Sequence, residues 1–291
     1  MGMKMDTQCI LCHLRRNIET ARKLGDEETA TAFARELMQA YINAPVADSS
    51  PTLSPVTSHL FQKYYGLEPD RFRREKEESN RFVLDRLENI RQRVDRAEDR
   101  IYAGLQFAVL GNYIDFSALQ GQVRFEQLEE MLDKAQEMEL DPGTYGQFLE
   151  DLQTGRRLLY LTDNAGEICF DRLFAEKIAQ AYPHLQITFC VRGGYAQNDA
   201  TREDAILAGI PFQVIDNGNC VAGTDLTQLS CEAEEAIASA DVIISKGQGN
   251  VETLLGCGYN IYYAFLVKCE KFQNHFQKPK LTPMFVREQD Q

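Results

Sequence analysis

The sequence predicts an α/β protein: a three-layer α/β/α sandwich on a mostly parallel sheet, preceded by an all-helical region. Three observations carry this. Up to about residue 155 the apolar positions recur at helical spacing among dense Arg and Glu. From Arg157 onward, short β-rich apolar runs alternate with helical stretches, the pattern of strands joined by crossover helices. No repeat of fixed period and no low-complexity segment interrupts either half, which sets aside solenoids and disordered arrays. The expected division is a helical region over residues 1–155 and an α/β domain over 156–291.

Taken in order, residues 8–40 have helical periodicity. Pro45, Pro51 and Pro55 then break it, because each lacks an amide donor and restricts the residue before it, so 44–55 reads as a loop. Residues 60–111 return to the helical pattern; within them the charges of 86–100 alternate in sign at helical spacing, which marks a solvated face. Residues 125–140 form another amphipathic helix, stopped by Asp141-Pro142-Gly143, and a further helical stretch runs through Leu152 to Gly155. The strands are expected at 158–161, 187–191, 212–215, 242–245 and 261–267, with helices starting near Glu167, Thr201, Gln228 and Val251. The tail after Lys271 reads as surface.

The totals limit function. A formal net charge of −13 repels nucleic acid and anionic membranes, so an anionic ligand needs a local positive site. No apolar run approaches the roughly 18 residues of a membrane span, and residues 1–6 lack a secretory apolar region, so the expectation is a cytoplasmic protein with no membrane and no nucleic-acid partner. The eight cysteines are scattered, several inside apolar runs, and no disulfide is assigned. Oligomeric state is not legible.

In a parallel sheet the loops leaving the carboxyl ends of the strands share one rim, where ligands bind. Four such loops are polar: Asp163-Asn164, residues 192–201, Asp216-Asn217-Gly218-Asn219, and Lys246-Gly247-Gln248-Gly249-Asn250. Asp163, Asn164 and Asp199 offer three hard oxygen ligands to an octahedral cation, with water and a substrate phosphate filling the rest. Lys246 offers a positive charge, and the amides of 247–250 a phosphate cradle at a helix start. Neither a Walker loop nor a dinucleotide fingerprint is present. A haloacid-dehalogenase site needs an acid two residues after its nucleophile, where Ala165 stands. Cys190-Val191-Arg192 ends the second strand where a ribose-holding acid is expected, which counts against NAD and S-adenosylmethionine.

These residues resemble a known family. Asp163-Asn164-Ala165-Gly166-Glu167, Asn198-Asp199-Ala200-Thr201 with Glu203-Asp204-Ala205, Asp216-Asn217-Gly218 and Ser245 to Asn250 are similar to the motifs of the metal-dependent damage-control phosphatases, or domain of unknown function 89. Cys9-Ile10-Leu11-Cys12 and residues 111–116 resemble its prokaryotic branch. The resemblance implies a helical part packed on an α/β/α sandwich, and magnesium, manganese, cobalt or nickel held by Asp163, Asn164 and Asp199. It also implies hydrolysis of phosphate monoesters of small metabolites, such as sugar phosphates or damaged phosphometabolites. Asp163 is expected as nucleophile or water-orienting group, and Lys246 matches a phosphate-contacting lysine. Asn112 and Asp115 match a motif that reaches the cleft from the helical part. Glu167, Arg192, Asp216, Gly247, Gln248 and Asn250 complete the expected substrate contacts. Residues 194–197 replace a segment that often contains Pro in relatives, which implies altered shape selection.

Cys9, Cys12 and His13 give at most three ligands on one turn, so buried or partner-contacting thiols are expected there rather than structural zinc or a redox pair. His59, His184 and His275 lie in no motif. Two other readings stay open: a carboxyl methyltransferase using S-adenosylmethionine, and a module that binds a phosphometabolite without turnover.

Overall fold

The computed structural model describes residues 2–45, 48–114 and 124–290. Asp6 and Asp26 each accept an amide hydrogen bond three residues on, starting α1 (Thr7–Leu24) and α2 (Glu27–Asn43). The expected loop at 44–55 is partly helical: Pro51 sits at the start of a 3-10 turn and Pro55 in the first turn of α3 (Ser54–Tyr65), where the missing amide has no intrahelical partner to lose. Ala21, Ala30, Phe33, Leu37, Leu60 and Phe61 close a small core among these three helices.

The next helices serve the sheet. α4 (Arg73–Arg96) buries Val83, Leu87, Ile90 and Val94 at helical spacing, and α5 (Arg100–Gly111) is buried almost all round. After α6 (Phe125–Asp133) and α7 (Pro142–Thr154) come β1 (Arg157–Leu161), α8 (Glu167–Ala181), β2 (Gln186–Val191), α9 (Arg202–Ala208) and β3 (Gln213–Asp216). The chain continues through α10 (Cys231–Ser239), β4 (Val242–Lys246), α11 (Gly247–Leu254), β5 (Ile261–Leu266), α12 (Glu270–Phe276) and β6 (Pro283–Arg287). The sheet order is β3-β2-β1-β4-β5-β6, parallel except for β6 against β5.

Leu158 and Tyr160 of β1 face one core, with α4, α5, α7 and α8, while Leu159 and Leu161 face the other, with α10, α11 and α12. This period of two in a strand buried on both faces produces the three layers. Three expectations are corrected. The tail after Lys271 is not surface: Phe272 and Phe285 are buried and β6 completes the sheet, a short edge strand whose first residue, Pro283, disguised it. α11 starts at Gly247, not near Val251, and α10 at Cys231, where Ser230 caps it. No described helix is long and apolar enough to cross a membrane.

Candidate active site

The first two rim loops are stitched together by their backbones. Ala200 N–H donates to the Asp163 carbonyl at 2.7 Å and Ala165 N–H to the Asn198 carbonyl at 2.9 Å, so Asn164 and Asp199 stand opposite one another. Gly166, at φ +79°, turns the chain into α8; a Cβ there would lie 2.8 Å from Ser79 Cβ. From α4, Asn80 accepts from Gly166 N–H and donates to Asp204, which also pairs with Lys76. Sequence reading missed Asn80 and Lys76, because both sit in a run of charged residues that looks solvated.

The side chains form a dense polar cluster. The Asn164 amide donates to Asp163 Oδ2 at 2.7 Å and Glu167 Oε2 at 2.8 Å, and accepts at its oxygen from Asn198 at 2.8 Å. Asn112, fully buried at the end of α5, donates to Asp163 Oδ2 at 3.0 Å and to Glu167. Arg192 Nε donates to Asp199 Oδ2 at 2.6 Å, and its Nη2 lies 3.6 Å from Asp163 Oδ1 with no hydrogen-bond partner among the described residues. Gly247 is required by contact as well as by its φ of +78°: a Cβ would fall 1.9 Å from Asp163 Oδ2.

Lys246 lies behind this cluster. Its ammonium donates to Glu167 Oε1 at 2.6 Å, Asp171 Oδ1 at 2.9 Å and the Ala108 carbonyl at 2.6 Å, so its three protons are committed. Burial works against its charge, yet Asp171 and Glu167 hold its pKa above the usual lysine value. Burial, opposed by Lys246 and reinforced by Glu167, lifts Asp171 to about 7. Asp171, which also accepts from Tyr160, was not singled out from the sequence.

A cavity of about 390 Å³ opens at the rim. Of the expected residues, Asp163, Asn164, Asp199 and Gln248 line it. Asn112, Glu167, Arg192, Lys246 and Asn250 are buried beneath. Asn250 donates to the Thr162 and Lys246 carbonyls and accepts from Thr224, and so braces the loops. Asp216 is held away from the cavity by Arg202 at 2.7 Å. Asp115 lies outside the described residues.

The opposite wall comes from α1, through Cys9, Cys12, His13 and Arg16. Burial pushes the Cys9 thiol up to about 12 and, with help from Arg16, His13 down to about 3, so neither is charged at neutral pH. An N-terminal arm anchors α1 there: Gly2 and Met3 amides donate to the carbonyls of Leu255 and Glu252, and Lys271 donates to that of Lys4. The only sequence signal for this wall was the Cys-x-x-Cys-His string.

A family model, the damage-control phosphatase ARMT1-like domain, matches residues 5–281. The chain belongs to this family. An uncharacterized protein of Methanocaldococcus jannaschii is 30% identical over 281 residues, 92% of this chain and 90% of its own. A protein named a damage-control phosphatase in Archaeoglobus fulgidus is 28% identical over 92% of this chain and 93% of its own. Another so named, in Pyrococcus horikoshii, is 35% identical over 60% of this chain and 61% of its own. The crystal structure of a DUF89 family protein from P. horikoshii superposes with a TM-score of 0.84 at 26% identity, covering 98% of this chain and 99% of that one.

The residues present suit a divalent cation. Among the described residues, the buried carboxylates Asp163, Glu167 and Asp199 are paired with the buried cations Arg192 and Lys246, leaving an excess of negative charge that a divalent ion would offset. Among the described residues no three His, Cys, Asp or Glu side chains form a cation site by themselves, so a cation held here would need the Asn164 amide and outside ligands such as water.

Proposed function

We propose that the protein is a divalent-metal-dependent phosphatase that hydrolyses phosphate monoesters of small metabolites, using magnesium, manganese, cobalt or nickel. The observation that carries this reading is the unspent Nη2 donor of Arg192, buried beside Asp163 and Asp199. A phosphoryl oxygen is the natural acceptor for a guanidinium proton held between two carboxylates.

Asp163, Asn164 and Asp199 would hold the cation, which when bound polarises the phosphoryl oxygens and offsets developing charge. Asp163 acts as nucleophile or orients the attacking water; both roles need a carboxylate fixed in one rotamer, which the Asn112 and Asn164 amides enforce. Arg192 binds the phosphoryl group and stabilises its charge in the transition state. Lys246 positions Glu167, and Glu167 in turn holds Asn112 and Asn164. The volume of the cavity suits one small metabolite.

The test is a phosphate-release screen over sugar phosphates and cofactor fragments with each metal. Chelation is expected to abolish release and added metal to restore it, and Arg192→Gln to lower kcat/KM about 100-fold. Undiminished turnover after chelation would sink the reading. The carboxyl methyltransferase alternative has one point in its favour, a strand order shared with dinucleotide-binding sheets. Metal-independent binding of S-adenosylmethionine in a calorimeter would favour it. Stoichiometric ligand binding with no phosphate released would favour a non-catalytic module.

A further inference from the structure

We propose that Asn198 is a positioning residue for the cation: its side-chain amide fixes which end of Asn164 is offered to the ion and registers Asn164 against Asp199. This rests on the metal-dependent reading and gives a role to a residue that reading leaves without one. Only the oxygen of a carboxamide can ligate a hard cation, yet its NH2 end is of the same size, so an asparagine ligand works only when its amide is held one way round. In Asn164 both ends are held. Nδ2 donates to Asp163 Oδ2 and Glu167 Oε2, and Oδ1 accepts from Asn198 Nδ2 at 2.8 Å. The hold at the nitrogen weakens once Asp163 spends its charge on a cation, because a neutralised carboxylate is a poorer acceptor. The bond from Asn198 is made to the oxygen itself and is not lost in this way. It occupies one of the oxygen's two lone pairs and leaves the other for the ion.

The placement of Asn198 suits this role. It is 1% exposed and immediately precedes Asp199, so whatever fixes its side chain also fixes where Asp199 begins. Its carbonyl accepts from Ala165 N–H at 2.9 Å, and its Nδ2 donates a second bond, to the Ile114 carbonyl at 3.3 Å. One residue thereby joins the loop after β1, the loop after β2 and the turn that follows α5, and burial denies its side chain room to move. Among the described residues its own Oδ1 has no partner, so the donating end of this amide is the one in use. An acid or an apolar residue of the same size would leave the Asn164 oxygen without its donor. Partners that orient metal ligands in this way carry about 10- to 100-fold in metal affinity.

The test is titration calorimetry of the metal-free protein with manganese and no substrate. Asn198→Ala is expected to weaken binding by about ten-fold or more. Asn198→Asp keeps the size and adds a negative charge, which by charge alone would tighten binding; because it removes the donor, weaker binding is expected. Asn198 acts through Asn164, so its loss should matter little once that amide is gone: in Asn164→Ala protein, adding Asn198→Ala should change the affinity by less than about two-fold. Unchanged affinity in Asn198→Ala, tighter binding by Asn198→Asp, or a loss of about ten-fold that persists without Asn164 overturns the proposal. Should the variants fold poorly, the wild-type protein is titrated with magnesium in an NMR spectrometer. The side-chain amide resonances of Asn198 and Asn164 are expected to shift together and saturate together, and a silent Asn198 overturns the proposal as well. Phosphate release is read separately: a wild type that binds manganese and releases no phosphate defeats the phosphatase reading alone, whereas one that binds neither metal defeats this proposal.

Discussion

The two walls of the cavity are built in opposite ways. On the rim side, Asp163, Asn164, Glu167, Asn112 and Asp199 are buried and bonded to one another through loops fixed by a six-stranded sheet. On the α1 side, Cys12 is exposed, His13 and Arg16 are half-buried, and the helix is packed in a small core of its own and tied down by a short arm. Reacting groups need placement within fractions of an ångström, which a sheet supplies. Groups that select the remainder of a substrate tolerate looser placement and are free to diverge with a peripheral helix.

Substitutions can break that contrast, and the largest effect belongs to the rim. Asp163→Asn is expected to lower kcat by about a thousand-fold or more in phosphate-release assays with manganese or cobalt. Full activity in that variant would remove the catalytic assignment. Lys246→Met leaves Glu167 and Asp171 buried without their cation and is expected to cost about 3–5 kcal/mol in denaturant unfolding. An unfolding midpoint equal to wild type would show that the cluster needs no counter-ion. Gly247→Ala drives a methyl into the Asp163 carboxylate, and a fall of about 100-fold in kcat/KM is expected, against only a minor loss for the exposed Gly256→Ala.

The smallest effect lies on the α1 wall and depends on pH. Because His13 is held at about 3, below its unfolded value, its contribution is complete above the unfolded pKa and is lost as pH falls toward 3. At pH ~4.5 the loss is on the order of 2 kcal/mol. Asp171 and Glu252, both raised to about 7, act with the opposite sign, losing stability as pH rises. The difference in thermal midpoint between wild type and His13→Phe therefore isolates the histidine; a difference that stays constant from pH 7.5 to 4.5 would show that the ring is not buried neutral.

The same contrast explains what could be read from letters. β1, β2, β4 and β5 were legible because strands buried on both faces are continuous apolar runs, and the rim motifs because their residues lie together in sequence. β6 was not, because a five-residue edge strand beginning with Pro has no run to detect. Lys246 was read as facing the ligand because charge is visible in sequence but orientation is not; Asp171, its partner, looked like an ordinary helix residue. The α1 wall left only the Cys-x-x-Cys-His string for a different reason: the contacts that anchor it join residues at opposite ends of the sequence.

That separation also sets an order of events. The arm that seats α1 is made long before one partner of its anchor, Lys271, which bonds the Lys4 carbonyl from 267 positions later. The arm can meet its first partners, Glu252 and Leu255, once α11 exists, and its last, Lys271, only after β5. Full anchorage of the α1 wall is thus coupled to synthesis of α12, so a chain that stalls before it lacks the Lys271 strut to the Lys4 carbonyl.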